Sequence, residues 1–311
     1  MCRDLLVSGT SSPSARGISL RLWHPVTWAC VRELAGHCGA VLSLAVCGDY
    51  LWSGSRDCAI KVWDAGTWEC VATLEAHADA VHALAVVAGG GGGARKKAAN
   101  TLVVSGALDA LIKVWDGATF ECLRTLSGHV SGVKALVAVG RGAAPLELTP
   151  RPRGTAKAAA GGGAAVGGGV IVSGAFDRLV KVWSIGSWEC VATLKGHKSG
   201  ITALTACSTE VWVASASNDN TIRVWERHGW ACVVVIEAHT DTVWALADYE
   251  GQLLSGSSDC TIKVWNKETW KCDATLMGHV QAVHAILPLP TTGEGGSFIS
   301  ASWDHSIAVW Q

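Results

Sequence analysis

Histidine, serine and aspartate, the three residue types of a hydrolytic triad, recur together six times in this 311-residue sequence. In each set the aspartate follows the serine by four residues, and the histidine stands further upstream. In a triad the histidine takes the serine proton while the aspartate orients the histidine, so the first chemistry to consider is acyl transfer. The six sets are His37, Ser53 and Asp57; His77, Ser105 and Asp109; His129, Ser173 and Asp177; His197, Ser215 and Asp219; His239, Ser255 and Asp259; and His279, Ser300 and Asp304.

A tryptophan follows each of these aspartates by six residues. A catalytic triad occurs once per active site, whereas this set occurs six times and every copy includes a tryptophan. A buried indole N–H needs an acceptor, and leaving it unmet costs about 1 to 3 kcal/mol. We therefore predict six structural hydrogen-bonded networks, no catalytic residues and no enzymatic activity. The tryptophans are Trp63, Trp115, Trp183, Trp225, Trp265 and Trp310.

The elements that must position these networks form a repeat of about forty residues. Successive repeat histidines are 40, 52, 68, 42 and 40 residues apart. Between turn residues the segments are short and rich in β-branched residues, which predicts about four strands per unit. None of them sustains the i, i+3, i+4 pattern of a helix. The sequence therefore predicts an all-β repeat protein.

Two of the units are longer than the others because of insertions rich in glycine and alanine. These occupy residues 88–100 and 139–169, and their composition could not form a packed core. We predict that both are disordered and lie between the first and second strands of their units. Residues 1–311 as a whole are predicted to form one domain, because repeats that pack only on neighbours cannot stand apart.

The Gly-His, Ser, Asp and Trp positions, kept in register over six copies, resemble the WD-repeat (WD40) family from about residue 4 to residue 311. The phrases GSSDCTIKVW and ATLEAH, and the chain end ASWDHSIAVWQ, are similar to the propeller of myosin heavy chain kinases and of related plant and protist WD-repeat proteins. This resemblance implies a seven-bladed β-propeller in which each blade runs from an inner strand A to an outer strand D.

A seventh, incomplete unit opens the sequence. Ser8, Trp23 and Cys30 occupy repeat positions, but Gly17 stands where the aspartate should be and no Gly-His precedes it. In family order this unit starts at strand B, and the last unit ends at strand C. We therefore expect a first blade without its inner strand, a last blade without its outer strand, and a chain truncated at its N-terminus.

The composition argues against several partners. With 25 basic and 26 acidic residues, the chain has no overall field to attract nucleic acid or an anionic membrane. The longest run without acidic, basic or histidine residues, 158–176, is too weakly apolar to span a bilayer. No signal peptide is evident, which indicates an intracellular protein, cytoplasmic or nuclear.

Cysteine is abundant, with twelve residues in all, and six of them follow a repeat tryptophan by seven residues. One per blade on the outer strand would place them too far apart for disulfides, so we expect them to be buried as small apolar residues. There is no C-x-x-C pair, and we predict neither a metal site nor a cofactor. The six are Cys30, Cys70, Cys122, Cys190, Cys232 and Cys272.

The resemblance implies that partners bind the top face, which the D-to-A and B-to-C loops form. The residue before each repeat aspartate and the residue five after each repeat histidine face that way, and both vary between repeats. Trp244, His284 and Trp303 should be neighbours there, and tryptophan is favoured at interface hot spots; alternatively, Trp244 only fills space between inner strands. The predicted partner-binding residues are Arg56, Leu42, His82, Lys134, Phe176, Trp244, His284 and Trp303.

Three functions are compatible with this reading. The first is a non-catalytic scaffold that binds a peptide or protein and belongs to a larger complex. The alternative is a substrate-targeting WD domain of a larger enzyme assembly, such as a kinase or ubiquitin ligase. A propeller enzyme would need converging acids or metal ligands at the channel mouth, and His82, His284 and His305 are too few and too dispersed for that.

Overall fold

The computed structural model of the protein describes residues 5–10, 18–87, 101–140, 169–207, 212–289 and 296–311. Every regular element in these ranges is a β-strand. The strands form seven antiparallel sheets, which are numbered here in chain order. The predicted all-β, seven-bladed propeller is therefore confirmed.

Five of the sheets have four strands, and the first and last have three. Sheet one comprises β1 (Leu6–Gly9), β2 (Ile18–Trp23) and β3 (Cys30–Ala35). Sheet two comprises β4 (Val41–Cys47), β5 (Tyr50–Ser55), β6 (Ile60–Asp64) and β7 (Cys70–Leu74). Sheet three comprises β8 (Val81–Val87), β9 (Leu102–Ala107), β10 (Ile112–Asp116) and β11 (Cys122–Leu126). Sheet four comprises β12 (Val133–Val139), β13 (Val170–Ala175), β14 (Val180–Ser184) and β15 (Cys190–Leu194).

The remaining three sheets continue the series. Sheet five comprises β16 (Ile201–Ala206), β17 (Trp212–Ser217), β18 (Thr221–Glu226) and β19 (Cys232–Glu237). Sheet six comprises β20 (Val243–Tyr249), β21 (Gln252–Ser257), β22 (Ile262–Asn266) and β23 (Cys272–Leu276). Sheet seven comprises β24 (Val283–Pro288), β25 (Phe298–Ser302) and β26 (Ile307–Trp310).

The hydrophobic core lies between the sheets. The first strands of sheets two to seven, β4, β8, β12, β16, β20 and β24, contact one another in sequence and form the inner ring. The second strands are covered on both faces, and all six residues of β13 are buried. The fourth strands are largely exposed. Each sheet therefore depends on its neighbours for burial, as expected for a single repeat domain.

Glycine in the second strands lets neighbouring sheets approach closely. A Cβ added to Gly54 would lie 2.7 Å from Cγ1 of Val81, which opens the inner strand of the next sheet. A Cβ added to Gly106 would lie 2.6 Å from Cγ1 of Val133 in the same way. Real Cβ atoms do not come this near to a carbon, so the Ser-Gly step of the repeat reflects contact between sheets.

The two three-stranded sheets contain the strands that were expected for the first and last blades. Ser8 on β1, Trp23 at the end of β2 and Cys30 at the start of β3 occupy the places of strands B, C and D, and Trp23 Nε1 donates to Ser8 Oγ over 2.9 Å. Sheet seven contains strands A, B and C. Among the described strands, the first sheet thus has no inner strand and the last has no outer strand, as predicted.

The prediction that the six repeat cysteines are buried is wrong. Cys30, Cys70, Cys122, Cys190, Cys232 and Cys272 are all exposed. Each begins the outermost strand of its sheet, opposite the repeat tryptophan at a break in register. The thiol turns to the carbonyl two residues on, as in Cys272 Sγ to Ala274 O at 3.2 Å. No described sheet covers the outside of these strands, so the side chain stays in solvent.

The two predicted insertions fall between the first and second strands of sheets three and four. Residues 88–100 lie wholly outside the described residues, and so do 141–168. Val139, given above as the first residue of the second insertion, is instead the last residue of β12 and is buried.

Candidate partner-binding site

Each repeat histidine connects the serine and the aspartate of its own sheet. In sheet two, His37 Nδ1 lies 2.8 Å from Asp57 Oδ2, and His37 Nε2 lies 2.8 Å from Ser53 Oγ. The indole N–H of Trp63 donates to the same serine oxygen over 2.9 Å. In sheets three to seven the equivalent distances are 2.7 to 3.0 Å, measured to the nearer carboxylate oxygen.

The donors and acceptors of a network can be assigned from its charges. Burial lowers the pKa of His37 although the Asp57 carboxylate opposes this, so the ring is neutral. A carboxylate only accepts, so His37 Nδ1–H donates to Asp57 and Nε2 accepts from the Ser53 hydroxyl. The backbone N–H groups of Cys38 and Ala59 donate to the same carboxylate at 2.8 and 3.1 Å. The network thereby joins two loops at one end of the sheet.

The serines of these networks are not accessible to a substrate. All six are buried, with at most 1% of the residue surface exposed. Each hydroxyl oxygen already accepts an indole N–H and contacts a histidine. A nucleophile must reach the carbon that it attacks, so these sets act as supports for the loops and not as triads.

The supported end of the propeller is its top face, where the loops before the first strands and the loops after the second strands lie. A β-bulge near the start of each first strand directs one side chain there. In sheet six, Val243 pairs with Ser257 and Ala245 with Gly256, which leaves Trp244 as the extra residue. Bulges commonly re-aim a side chain next to a functional site. The bulged residues are Leu42, His82, Lys134, Thr202, Trp244 and His284.

The residue before each repeat aspartate is held beside the bulged residue of its sheet. Trp303 N–H donates to the carbonyl of Ala282, over 3.0 Å, and Ala282 stands two residues before the bulged His284. The other five sheets with this position, two to six, make the same backbone bond at 2.8 to 3.0 Å. These two positions together form a continuous edge, which we call the top rim. Inner strands surround the central channel of a propeller, so the top rim borders the mouth of that channel.

Three rings of the top rim form an aromatic stack, consisting of Trp244, His284 and Trp303. The ring centroids of His284 and Trp303 are 4.2 Å apart, and those of Trp244 and His284 are 4.7 Å apart. Trp244 also donates its indole N–H to Ser258 Oγ over 2.6 Å. Trp303 is 57% exposed, while Trp244 and His284 are half-buried. The three residues are therefore neighbours, as expected.

Lys134 extends this chain of contacts to the opposite part of the rim. Its Nζ lies 5.9 Å from the Trp244 ring centroid, within the range of a cation–π interaction. The same Nζ lies 2.8 Å from Nδ1 of His82 on the neighbouring sheet. An ammonium group only donates, so Nδ1 of His82 accepts and the imidazole is neutral.

Burial governs the protonation of the groups around the mouth. Burial, with the charge of Lys134 second, lowers the pKa of His82 to about 4. The same two causes lower the pKa of His284 to about 4. Burial alone lowers the pKa of Lys134 to about 8. At neutral pH the two histidines are therefore uncharged, and Lys134 carries a positive charge that is poorly solvated.

The structure thus connects five of the predicted partner-binding residues and places the other three elsewhere on the top rim. Arg56 is exposed, and its charge acts on His82. Leu42 is 36% exposed and Phe176 is 38% exposed. Phe176 also rests against the loop of the next sheet, where a Cβ on Gly200 would lie 2.7 Å from its ring.

Two small residues of the rim were absent from the predicted site. Ser258 accepts the Trp244 N–H, and the buried Thr202 hydroxyl donates to the carbonyl of Val243 on the next sheet. Both occupy the same repeat positions as the predicted residues, so the register could have found them. The predicted site omits them because it favours large side chains.

Two other kinds of site are not seen in the part of the chain that the structure describes. Its histidines, cysteines and acids form no group of three or more that could hold a metal ion. Within the same residues there is no helix with the length and apolarity needed to cross a membrane.

Three curated relatives illustrate what the chain is similar to. It is 33% identical over 105 residues to "Cell division control protein 4" of Saccharomyces cerevisiae, a match covering 34% of this chain and 10% of that protein. It is 25% identical over 130 residues to "Probable E3 ubiquitin ligase complex SCF subunit sconB" of Talaromyces stipitatus, covering 35% and 19%. It is 42% identical over 41 residues to "Myosin heavy chain kinase C" of Dictyostelium discoideum, covering 13% and 5%. The chain spans less than a fifth of the length of each relative.

The family comparison covers most of the repeats. The sequence model described as "WD domain, G-beta repeat" matches residues 28–64, 68–116, 188–226, 230–266 and 270–311, which together exceed half of the chain. The matched ranges carry the His, Ser, Asp and Trp networks of sheets two, three, five, six and seven in whole or in part, and the propeller is the fold of this family. Domains of this kind typically mediate protein interactions and are generally non-catalytic. The chain belongs to the WD40 repeat family.

Proposed function

We propose that the protein is a non-catalytic scaffold that binds a peptide or protein on the top rim of its propeller, within a larger complex. The observation that carries this proposal is the aromatic stack. Trp303 presents more than half of its surface to solvent, although it is fixed from behind by His284 and Trp244. A rigid, exposed tryptophan offers a large contact area with little entropy left to lose, which is typical of interface hot spots.

The repeat variation supports the same surface. The networks below the rim are alike in six sheets, whereas the rim residues differ from sheet to sheet. The fold therefore makes no demand on the identity of the rim residues, and a partner could select them. We further propose an intracellular location, which is consistent with the lack of disulfides among the described cysteines.

A double alanine variant tests the proposal. Trp244→Ala with Trp303→Ala should leave the protein folded and remove the proteins that co-purify with wild type in affinity purification followed by mass spectrometry. The matched control is Trp28→Ala, which removes an exposed tryptophan from the turn between β2 and β3, at the opposite end of the propeller. Retention of every wild-type partner by the double variant, or an equal loss of partners with Trp28→Ala, would contradict a top-rim site.

The second candidate function is substrate targeting within an enzyme assembly. It is favoured by the similarity to a protein named as a subunit of an SCF ubiquitin ligase complex and to one named as a myosin heavy chain kinase. The same purification separates the two: ligase or kinase subunits that stay bound to the double variant, while other partners are lost, would support targeting.

A further inference from the structure

Lys134 is a half-buried cation that forms an ion pair with none of the anions among the described residues. Its Nζ donates to neutral His82 and lies over the Trp244 ring. None of the ion pairs among the described residues includes it. Buried charges in proteins are as a rule paired. The Lys267 ammonium, which is buried lower in the propeller, follows this rule and pairs with Asp248.

The surroundings leave one net positive charge at this part of the mouth. The two titratable rings near Lys134, His82 and His284, have pKa values of about 4 and are neutral at pH 7. Arg56 and Asp79 also influence the pKa of His82, but in opposite directions: the positive charge of Arg56 lowers it and the negative charge of Asp79 raises it. Burial of Lys134 without a counter-ion is unfavourable, as its lowered pKa of about 8 reflects. An incoming anion would offset that cost.

We propose that Lys134 binds the carboxylate of an aspartate or glutamate in the partner peptide, while an apolar or proline residue of the same peptide stacks on Trp303. This inference rests on the proposed function and names the chemistry of the ligand. A carboxylate carries one negative charge, which one ammonium neutralises. A phosphoserine carries close to two at pH 7, and would leave unbalanced charge beside the neutral rings.

The geometry sets the spacing of the two peptide residues. Lys134 Nζ lies 5.9 Å from the Trp244 centroid, and the Trp303 centroid lies 6.3 Å from the same point. Lys134 Nζ and Trp303 are therefore at most about 12 Å apart, a distance that an extended chain spans in about three or four residues. The acidic residue and the apolar residue of the ligand should therefore be no more than about three or four residues apart in the peptide.

The experiment uses random linear peptides displayed on phage and selected on the wild-type chain. Selected sequences should share an acidic residue close to an apolar or proline residue. The best peptide is then synthesised in three forms, with its acid, with the corresponding amide and with phosphoserine at that position. Each form is measured on wild type, on Lys134→Met and on Lys198→Met. Lys198 is a matched control because it is an exposed lysine beside His197 on the top face.

A charge-assisted hydrogen bond predicts that the amide form binds about 10-fold more weakly than the acid to wild type and to Lys198→Met. On Lys134→Met the two forms should differ by less than about 2-fold. Lys134→Gln replaces the methionine variant if thermal melting shows that the latter is unfolded.

Other outcomes would contradict either the carboxylate inference alone or peptide binding on the top rim altogether. The inference would be overturned if the selected peptides lacked an acidic residue, or if the phosphoserine form bound more tightly than the acid form. It would also be overturned if replacing the acid by the amide weakened binding to Lys134→Met as much as binding to wild type. Each of these results would leave the proposed function standing. If wild type selects no peptide at all, peptide binding on the top rim fails, and the inference fails with it.

Discussion

At the scale of single residues, Asp219 shows how much one network carboxylate supports. It accepts hydrogen bonds from His197 Nδ1, from the Lys198 backbone N–H and from both the backbone and the hydroxyl of Thr221. Burial alone would raise the pKa of Asp219, but the hydrogen bonds from His197, Thr221 and Lys198 outweigh it and hold the pKa well below its usual range. The carboxylate is thus the common acceptor for two loops of the top face.

Asp219→Ala should therefore lower the free energy of unfolding by about 1 to 3 kcal/mol, because it leaves buried donors without an acceptor. Denaturant unfolding measures the change. The matched control is Asp241→Ala: Asp241 is exposed, and its carboxylate accepts from the N–H of its neighbour Thr242. That control should change stability by no more than about 0.5 kcal/mol. Equal stability of Asp219→Ala and wild type would show that the networks are not structural.

The neutral histidines of the mouth predict a dependence of stability on pH. The pKa values of His82 and His284 are about 4 in the folded protein, against about 6.5 when unfolded. As pH falls through 6.5 the unfolded chain takes up protons that the folded protein refuses, so the folded state loses stability until pH reaches about 4. Stability should be lower at pH 5 than at pH 7, a window above the titration of most carboxylates.

The double variant His82→Gln with His284→Gln should show a smaller loss of melting temperature between pH 7 and pH 5. The slope should not vanish, because burial also lowers the pKa of His37, His77 and His129. Thermal melts at the two pH values test this. A slope as steep as that of wild type would mean that the two mouth histidines already titrate normally in the fold.

The residue-scale features that the sequence predicts best are those tied to the repeat register. The networks and the proximity of Trp303, His284 and Trp244 follow from counting residues between repeat positions. The contact of Lys134 with His82 could not be predicted in this way. It depends on how far one flexible side chain reaches between sheets, and no spacing encodes that reach.

At the scale of elements, the turn after each second strand contains a residue with a left-handed backbone. Ala110 has φ 65° and Asn220 has φ 66° at equivalent positions. This conformation costs an ordinary L-residue about 1 to 2 kcal/mol, and asparagine tolerates it better than alanine does. Asn220 in addition donates from Nδ2 to the Thr240 carbonyl over 3.3 Å.

A reciprocal exchange tests this account of the turn. Ala110→Asn should raise the free energy of unfolding by up to about 1 kcal/mol, and Asn220→Ala should lower it by a similar amount. Each variant is the control for the other, since the position in the repeat is the same. Changes of the same sign in both, measured by denaturant unfolding, would show that backbone strain does not decide the effect.

The sequence predicts the strands but not their irregularities. Strand lengths and turn residues indicate four strands per unit, as observed in sheets two to six. The bulge that directs Trp244 and its equivalents cannot be read from a β-branched segment, because an extra unpaired residue leaves the apolar pattern almost unchanged. The exposure of Cys70 and its equivalents was mispredicted although they were assigned to the outer strand, because the general tendency of cysteine to be buried does not hold on a strand that is itself largely exposed.

At the scale of the whole molecule, the described strands leave the ring incomplete between its first and last sheets, which have three strands each, and we call this place the gap. In β6 of sheet two, Ile60 and Val62 are fully buried against the next sheet. The equivalent residues of β26 in sheet seven, Ile307 and Val309, are 46% and 43% exposed. The side chains at these positions are thus covered in sheet two and partly exposed in sheet seven, and no described strand pairs with the outer edge of β26. Apolar surface and unpaired backbone at this gap both reduce stability.

Supplying the two absent strands should therefore stabilise the ring. A copy of residues 272–288, which carries an outer strand and an inner strand, would be joined ahead of residue 1. Its outer strand could pair with β26 and its inner strand with β1, closing the ring and covering Ile307 and Val309. The melting temperature should rise. The peptides that bind the top rim should be the same as before, because the added segment repeats an existing blade. The control carries proline at alternate positions of the added outer strand, which removes the backbone donors needed for pairing. If both extended chains melt at the temperature of the original, the gap contributes no measurable instability and sheets one and seven are already satisfied as they stand.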